Sequence, residues 1–154
     1  MLKICLCSDN HGDKEIIEKI KNDNNDCDYY FHLGDSSMNE EELFPFISVK
    51  GNNDFGIVFP MQRIIEIKNH RILLLHGHGY TYSLYSLIKK ALDEKCDVVF
   101  FGHTHEYLDE EYEGIRLINP GSCFYNKDLS KPCFALVTID DNGIIKSNKI
   151  EIQE

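Results

Sequence analysis

The sequence is short of arginine, of closely paired cysteines and of long apolar runs. Only Arg63, Arg71 and Arg116 are arginines among sixteen basic residues, and the formal net charge is -10. That excludes a broad nucleic-acid-binding surface, which needs clustered Lys and Arg. An anionic ligand must therefore be attracted locally. The six cysteines, Cys5, Cys7, Cys27, Cys96, Cys123 and Cys133, form no C-x-x-C pair. A structural zinc site is not expected from them, and they read as reduced core residues. No apolar run approaches the ~20 residues that cross a membrane as a helix. The first apolar run meets Asp9 and His11 too soon for a signal peptide, so a cytoplasmic location is the expectation. Repeats, low-complexity tracts and linker-like stretches are also missing. With 154 residues, 42% of them hydrophobic, the chain reads as a single domain over 1–154 with a real core.

Periodicity gives the elements. Leu2 to Cys7 predicts a first buried strand, and Asp28 to Leu33 and Phe46 to Lys50 predict a second and a third. Between the first two, Ile16, Ile17 and Ile20 share one face of a helix over Asp13 to Asn24, and a short acidic helix is expected over Asn39 to Leu43. Gln62 to Lys68 and His70 to Leu75 read as two strands joined at Asn69-His70. Leu84, Leu87, Ile88, Ala91 and Leu92 mark a helix over Tyr82 to Glu94, followed by a buried strand over Asp97 to Phe101. Tyr107-Leu108 and Ile115 to Ile118 flank an acidic stretch, Asp109 to Glu113. Phe134 to Ile139 and Ile144 to Ile152 flank Asp140-Asp141-Asn142-Gly143, a hairpin signal. Strand and helix alternate early, and the last third is mostly strands. The pattern implies an α+β fold of two sheets face to face with helices outside.

The endings of these runs carry the chemistry. Six of them finish in Asp9-Asn10-His11, Gly34-Asp35, Gly51-Asn52-Asn53-Asp54, His76-Gly77-His78, Gly102-His103-Thr104-His105 and Asn119-Pro120-Gly121-Ser122. One Gly-Asp or Asn-Asn-Asp is ordinary turn chemistry. Six endings, five rich in Asp, His or Asn, point instead to one site at the carboxyl ends of strands. Two divalent ions ~3.5–4 Å apart can neutralise a phosphodiester, activate a bound water and stabilise a leaving oxygen. A shared carboxylate can tie such ions together, while His and Asn complete the shells without adding charge. This donor mixture suits two divalent transition-metal ions better than Mg²⁺ or Ca²⁺. The donors do not choose among manganese, nickel, iron, cobalt and zinc; manganese is taken as the first expectation.

Asp9-x-His11, Gly34-Asp35, Gly51-Asn52-x-Asp54, His76-Gly77-His78 and Gly102-His103-Thr104-His105 resemble, in order and spacing, the motif series of the calcineurin-like metallophosphoesterases. Chain length and Asn119-Pro120-Gly121-Ser122 resemble that superfamily's small bacterial and archaeal phosphodiesterase branch. The resemblance implies a four-layer αββα sandwich of two mixed sheets flanked by helices. It implies Asp9, His11 and His105 as ligands of one metal, Asn52, His76 and His103 as ligands of the other, and Asp35 as the bridge. It further implies water as the nucleophile and a small phosphate ester as the partner, with phosphodiester hydrolysis first. A phosphomonoesterase or nucleotide pyrophosphatase on the same centre is the alternative. So is a non-catalytic scaffold, for which a retromer subunit of this fold with altered ligand positions is the precedent.

One departure stands out. Many superfamily members have His after the motif Asn, where it is thought to protonate the leaving group; here the residue is Asn53. An amide can bond a phosphate oxygen but cannot act as a general acid. His78, two residues from a proposed ligand, is the substitute candidate, against a hydrogen-bonding role behind the ligands. Asp54 is expected to orient the Asn52-Asn53 turn. His32 and His70 are expected outside the ligand set. The apolar stretch Phe55 to Pro60 reads as core, as a pocket wall or as a homodimer contact.

Overall fold

Alternation along the first strand sets the layers. The computed structural model describes residues 1–80 and 83–153. In β1 (Leu2–Cys7), Ile4 and Leu6 face one way and Cys5 and Cys7 the other, and all four are fully buried. A strand buried on both faces needs cover on both. Cys5 and Cys7 pack under Ile17 and Ile20 of α1 (Lys14–Asp23) and Leu43 of α2 (Glu40–Leu43). Asp13 starts α1 by accepting the Ile16 N–H, the side-chain cap that a first helical turn needs.

The first sheet runs β10-β9-β1-β2-β3, with β2 (Tyr29–His32), β3 (Ile47–Ser48), β9 (Cys133–Ile139) and β10 (Ile145–Glu151). β1, β2 and β3 are parallel; β9 and β10 add antiparallel. The second runs β4-β5-β6-β8-β7, with β4 (Gln62–Ile67), β5 (His70–Leu75), β6 (Val98–Phe100), β7 (Tyr107–Tyr112) and β8 (Ile115–Pro120). Its centre is parallel and both edges are antiparallel. Ile4, Leu6 and Phe31 meet Ile72, Leu74 and Phe100 between the sheets. α3 (Leu84–Asp93) covers the outer face of the second sheet through Leu87, Ile88 and Ala91. The result is the expected α+β sandwich of two mixed sheets. No described helix is long and apolar enough to cross a membrane.

Two local readings change, and a third falls partly outside the described residues. The acidic stretch Asp109 to Glu113 is largely strand, since β7 extends to Tyr112. At a sheet edge facing water, charge is no obstacle to pairing and discourages further strand addition. The third strand shrinks to Ile47–Ser48, because the chain leaves the ladder toward the Gly51 turn. The expected helix start at Tyr82 lies outside the described residues; the helix is seen from Leu84.

Candidate metal centre

The strands β1, β2, β5 and β6 all end at one edge of the sandwich, and their following turns are stitched together through the backbone. The Asp9 and His11 N–H groups donate to the Gly34 and Asp35 carbonyls at 3.0 Å, and the Gly102 N–H donates to the His76 carbonyl at 3.0 Å. Two glycines are required by proximity. A β-carbon on Gly51 would lie 2.2 Å from Asp35 Oδ1, and one on Gly102 would lie 2.0 Å from Ser8 Oγ. The residues turned inward adopt left-handed backbone: φ is 59° at Asp9, 45° at His11, 57° at Asp35, 70° at His103 and 56° at His105. Such non-glycine conformations cost on the order of 1 kcal/mol each and gather where function demands them.

At the centre lies Asp9 Oδ1, a fully buried carboxylate oxygen with no hydrogen-bond partner. It stands 3.3 Å from His105 Nε2 and 3.8 Å from both His11 Nε2 and His76 Nε2. The other oxygen, Oδ2, accepts from Ser8 Oγ at 2.5 Å and the His103 N–H at 3.1 Å. Asp35 Oδ2 lies 3.3 Å from His76 Nε2 and accepts from Asn53 Nδ2 at 3.0 Å, while Oδ1 accepts the Asn53 N–H at 2.7 Å. The ligand atoms of Asp9, His11 and His105 fall within 4.8 Å of one another, as do those of Asp9, Asp35 and His76. The two groups share Asp9.

Tautomers test whether a cation fits. His76 Nδ1 lies 2.7 Å from the Leu33 carbonyl and His105 Nδ1 lies 2.7 Å from the Tyr125 carbonyl. Only N–H can face a carbonyl, so in the neutral rings each Nε2 presents a lone pair to the centre. There His105 Nε2 faces His11 Nε2 at 3.4 Å, and His76 Nε2 faces His103 Nδ1 at 3.2 Å. Converging imidazole nitrogens around an orphaned buried carboxylate are what divalent transition metals bind. Without a metal the centre is balanced by protons instead: burial pushes the Asp9 carboxyl up, but His105 and His76 as protonated rings, with Ser8, outweigh it and hold it below the usual carboxylate range. Asp35 is likewise held well down by His76 and Asn53 against the effect of burial. Both carboxylates are thus ionised, as ligands must be.

Six of the seven expected ligands meet here: Asp9, His11, Asp35, His76, His103 and His105. Asn52 is exposed and, among the described residues, its side chain makes no hydrogen bond; the amide that reaches the cluster is Asn53. Asp54 lies behind the site, buried. Its Oδ2 accepts the Asp35 and Gly51 N–H groups and its Oδ1 that of Ser37, at 2.7–2.9 Å. His78 packs beside His76, ring centroids 5.6 Å apart, with Nδ1 buried and unpartnered.

Sequence reasoning missed a supporting layer. His32, fully buried, bonds Asn10 Oδ1 through Nε2 at 2.8 Å and accepts the Gly34 N–H on Nδ1 at 3.1 Å, joining the first two ligand turns. Burial pushes its pKa down to about 4, so it serves as a neutral ring. The available signal was a histidine at the end of a buried strand, which demands partners. Asn119 ties Gly102 and Thr104 to the end of β8. Ser122 Oγ donates to the Asp9 carbonyl at 2.8 Å.

The chain belongs to the calcineurin-like phosphoesterase superfamily, whose domain matches residues 2–142. It is 30% identical to "Probable metallophosphoesterase YsnB" of Bacillus subtilis over 147 residues, covering 92% of this chain and 87% of that protein. A structure described as a novel archaeal phosphodiesterase is 25% identical and superposes with a TM-score of 0.74, covering 97% of this chain and all (100%) of that one. Vps29 of Entamoeba histolytica, as a single mutant, shares the fold at 20% identity and a TM-score of 0.76, covering 99% of this chain and 100% of that one.

Proposed function

We propose that this protein is a metal-dependent phosphodiesterase that hydrolyses small phosphate diesters. The observation that carries the reading is the orphaned, buried Asp9 Oδ1 ringed by His11, His76 and His105 nitrogens. Asp9, His11, Asp35, His76, His103 and His105 would hold two divalent ions, manganese first, with Asn52 or Asn53 supplying the amide. Such ions supply charge neutralisation for the anionic ester and a water acidic enough to attack at neutral pH. The chain's own groups do the rest. Leu33 and Tyr125 carbonyls fix His76 and His105, and Asp54 holds the turn beneath Asp35. Asn53 offers an amide N–H to a phosphate oxygen but no transferable proton, and Asp54 spends both carboxyl oxygens on three backbone N–H groups. Esters whose leaving groups need little protonation are therefore favoured. The archaeal relative's description as a phosphodiesterase supports diesters over monoesters.

The test is hydrolysis by stripped protein reloaded with manganese, using bis(4-nitrophenyl) phosphate, the corresponding monoester and a dinucleoside pyrophosphate. Cleavage of the diester that requires added metal is expected. Preference for the monoester or pyrophosphate would move the assignment within the family. A scaffold is the second reading, favoured by exposed Phe55 (83%) and Val58 (95%) and by the fold shared with Vps29. Protein that binds no metal and cleaves nothing would support it. The same apolar loop is our proposed homodimer contact, and a monomeric mass at high concentration would remove that.

A further inference from the structure

Two exposed aromatic rings flank the centre without holding it. Phe124 is 54% exposed and Tyr125 52%. The Phe124 ring centroid lies 6.0 Å from that of His11, and the Tyr125 centroid lies 6.2 Å from that of His105. Their backbone is held on both sides of the turn. Buried Ser122 Oγ accepts the Phe124 N–H at 3.0 Å and the Tyr125 N–H at 2.9 Å while donating to the Asp9 carbonyl. One donor and two acceptors exhaust that hydroxyl. The Tyr125 carbonyl accepts from His105, and the Lys127 N–H donates to the His105 carbonyl. Buried Asn126 closes the turn by accepting the Ser122 N–H and donating to the Lys131 carbonyl. The bonds that hold the Asp9 carbonyl and the His105 ring therefore also hold the backbone from which the two rings project.

A flat, uncharged surface beside an anion-binding centre contacts the organic part of an ester and not its phosphate. Another π face gains most by covering it. We propose that Phe124 and Tyr125 form a stacking shelf that selects phosphate diesters bearing a planar aromatic group, either an aryl ester or a nucleobase. This rests on the phosphodiesterase reading and names the substrate class of that site.

Binding, free of turnover, tests it. Manganese-loaded protein is titrated calorimetrically with methyl(phenyl)phosphinate against dimethylphosphinate, and with adenosine 5′-methylphosphonate against its ribose counterpart. Each pair has equal charge. The aromatic member of at least one pair should bind about tenfold more tightly, in the range one stacked ring contributes; which pair responds tells aryl from nucleobase. The double substitution Phe124→Ala, Tyr125→Ala should erase that preference and, because alanine keeps the backbone carbonyl that holds His105, leave the non-aromatic ligands unchanged, while Tyr125→Phe keeps it. Equal affinity within both pairs, or a preference that survives the double substitution, overturns the shelf. If no ligand binds metal-loaded protein, the phosphodiesterase reading itself falls, and the shelf with it.

Discussion

Gly102 and His78 show how much of the centre depends on single residues. A methyl group on Gly102 would meet buried Ser8 Oγ at 2.0 Å and Asp9 Oδ2 at 2.9 Å. Gly102→Ala should therefore displace the Asp9 carboxylate. Metal affinity should fall at least tenfold, as when a ligand's supporting partner is lost, and stability should fall by about 1–3 kcal/mol, the usual cost of overpacking. Metal titration and denaturant unfolding read the two effects separately. His78 touches none of the carboxylates in the cluster, yet its buried Nδ1 is unpartnered beside His76. If it protonates leaving groups, His78→Ala should slow alkyl diesters on the order of 10²-fold while aryl diesters and metal content change little. Unchanged cleavage of alkyl diesters would leave it a packing residue.

At the scale of elements, His70 joins the far ends of the two sheets, away from the metal centre. Its Nδ1 meets Asp97 Oδ2 at 2.6 Å and its Nε2 meets the Gly143 carbonyl at 2.6 Å. Both partners are acceptors, so both ring nitrogens must carry hydrogen, which makes the ring a cation. Burial lowers its pKa, but the Gly143 carbonyl and the Asp97 carboxylate outweigh burial and raise it. A pKa raised in the folded state means stability fully present below about pH 6.5 and lost as pH rises through the higher folded value. Unfolding of the metal-free protein should show this decline as pH rises above about 6.5. His70→Gln should flatten it, and an unaltered profile would show that the ring is not charged. Elements also divide the legible from the illegible. The helical face Ile16, Ile17, Ile20 and the Asp140–Gly143 turn were plain because periodicity and turn chemistry are local. The acidic run of β7 was not, because its strand character comes from pairing with β8 at an edge.

For the whole molecule, the centre concentrates two ionised carboxylates, and five of its Asp and His residues have left-handed backbone, at one edge of the sandwich. A cation that binds only the folded arrangement stabilises it by mass action, about 2.7 kcal/mol when free metal is a hundredfold above Kd. Manganese should therefore raise Tm by several degrees and a chelator should reverse it. In Asp9→Asn the shift should disappear, since Asp9 belongs to both candidate ligand groups. A wild-type Tm insensitive to manganese and to chelator would mean that the turns hold their shape without a metal and do not bind it.

The sequence by itself determined the local pieces: buried runs, sharp glycine endings, and Asp and His at those endings in a spacing that resembles one superfamily. These are local properties, set by side-chain hydrophobicity and backbone freedom over a few residues. Tertiary structure alone decided the rest. It made Asp9 the carboxylate common to both groups, set Asn53 rather than Asn52 against Asp35, used His32 to lock two turns, and placed Phe124 and Tyr125 beside His11 and His105. Each of these depends on how turns distant in the chain approach in space, within one sheet for His32 and Asn53 and across the two sheets for Asp9 with His76 and His105. That approach is governed by packing of the shared core and by hydrogen bonds between residues as far apart as Asp9 and Ser122.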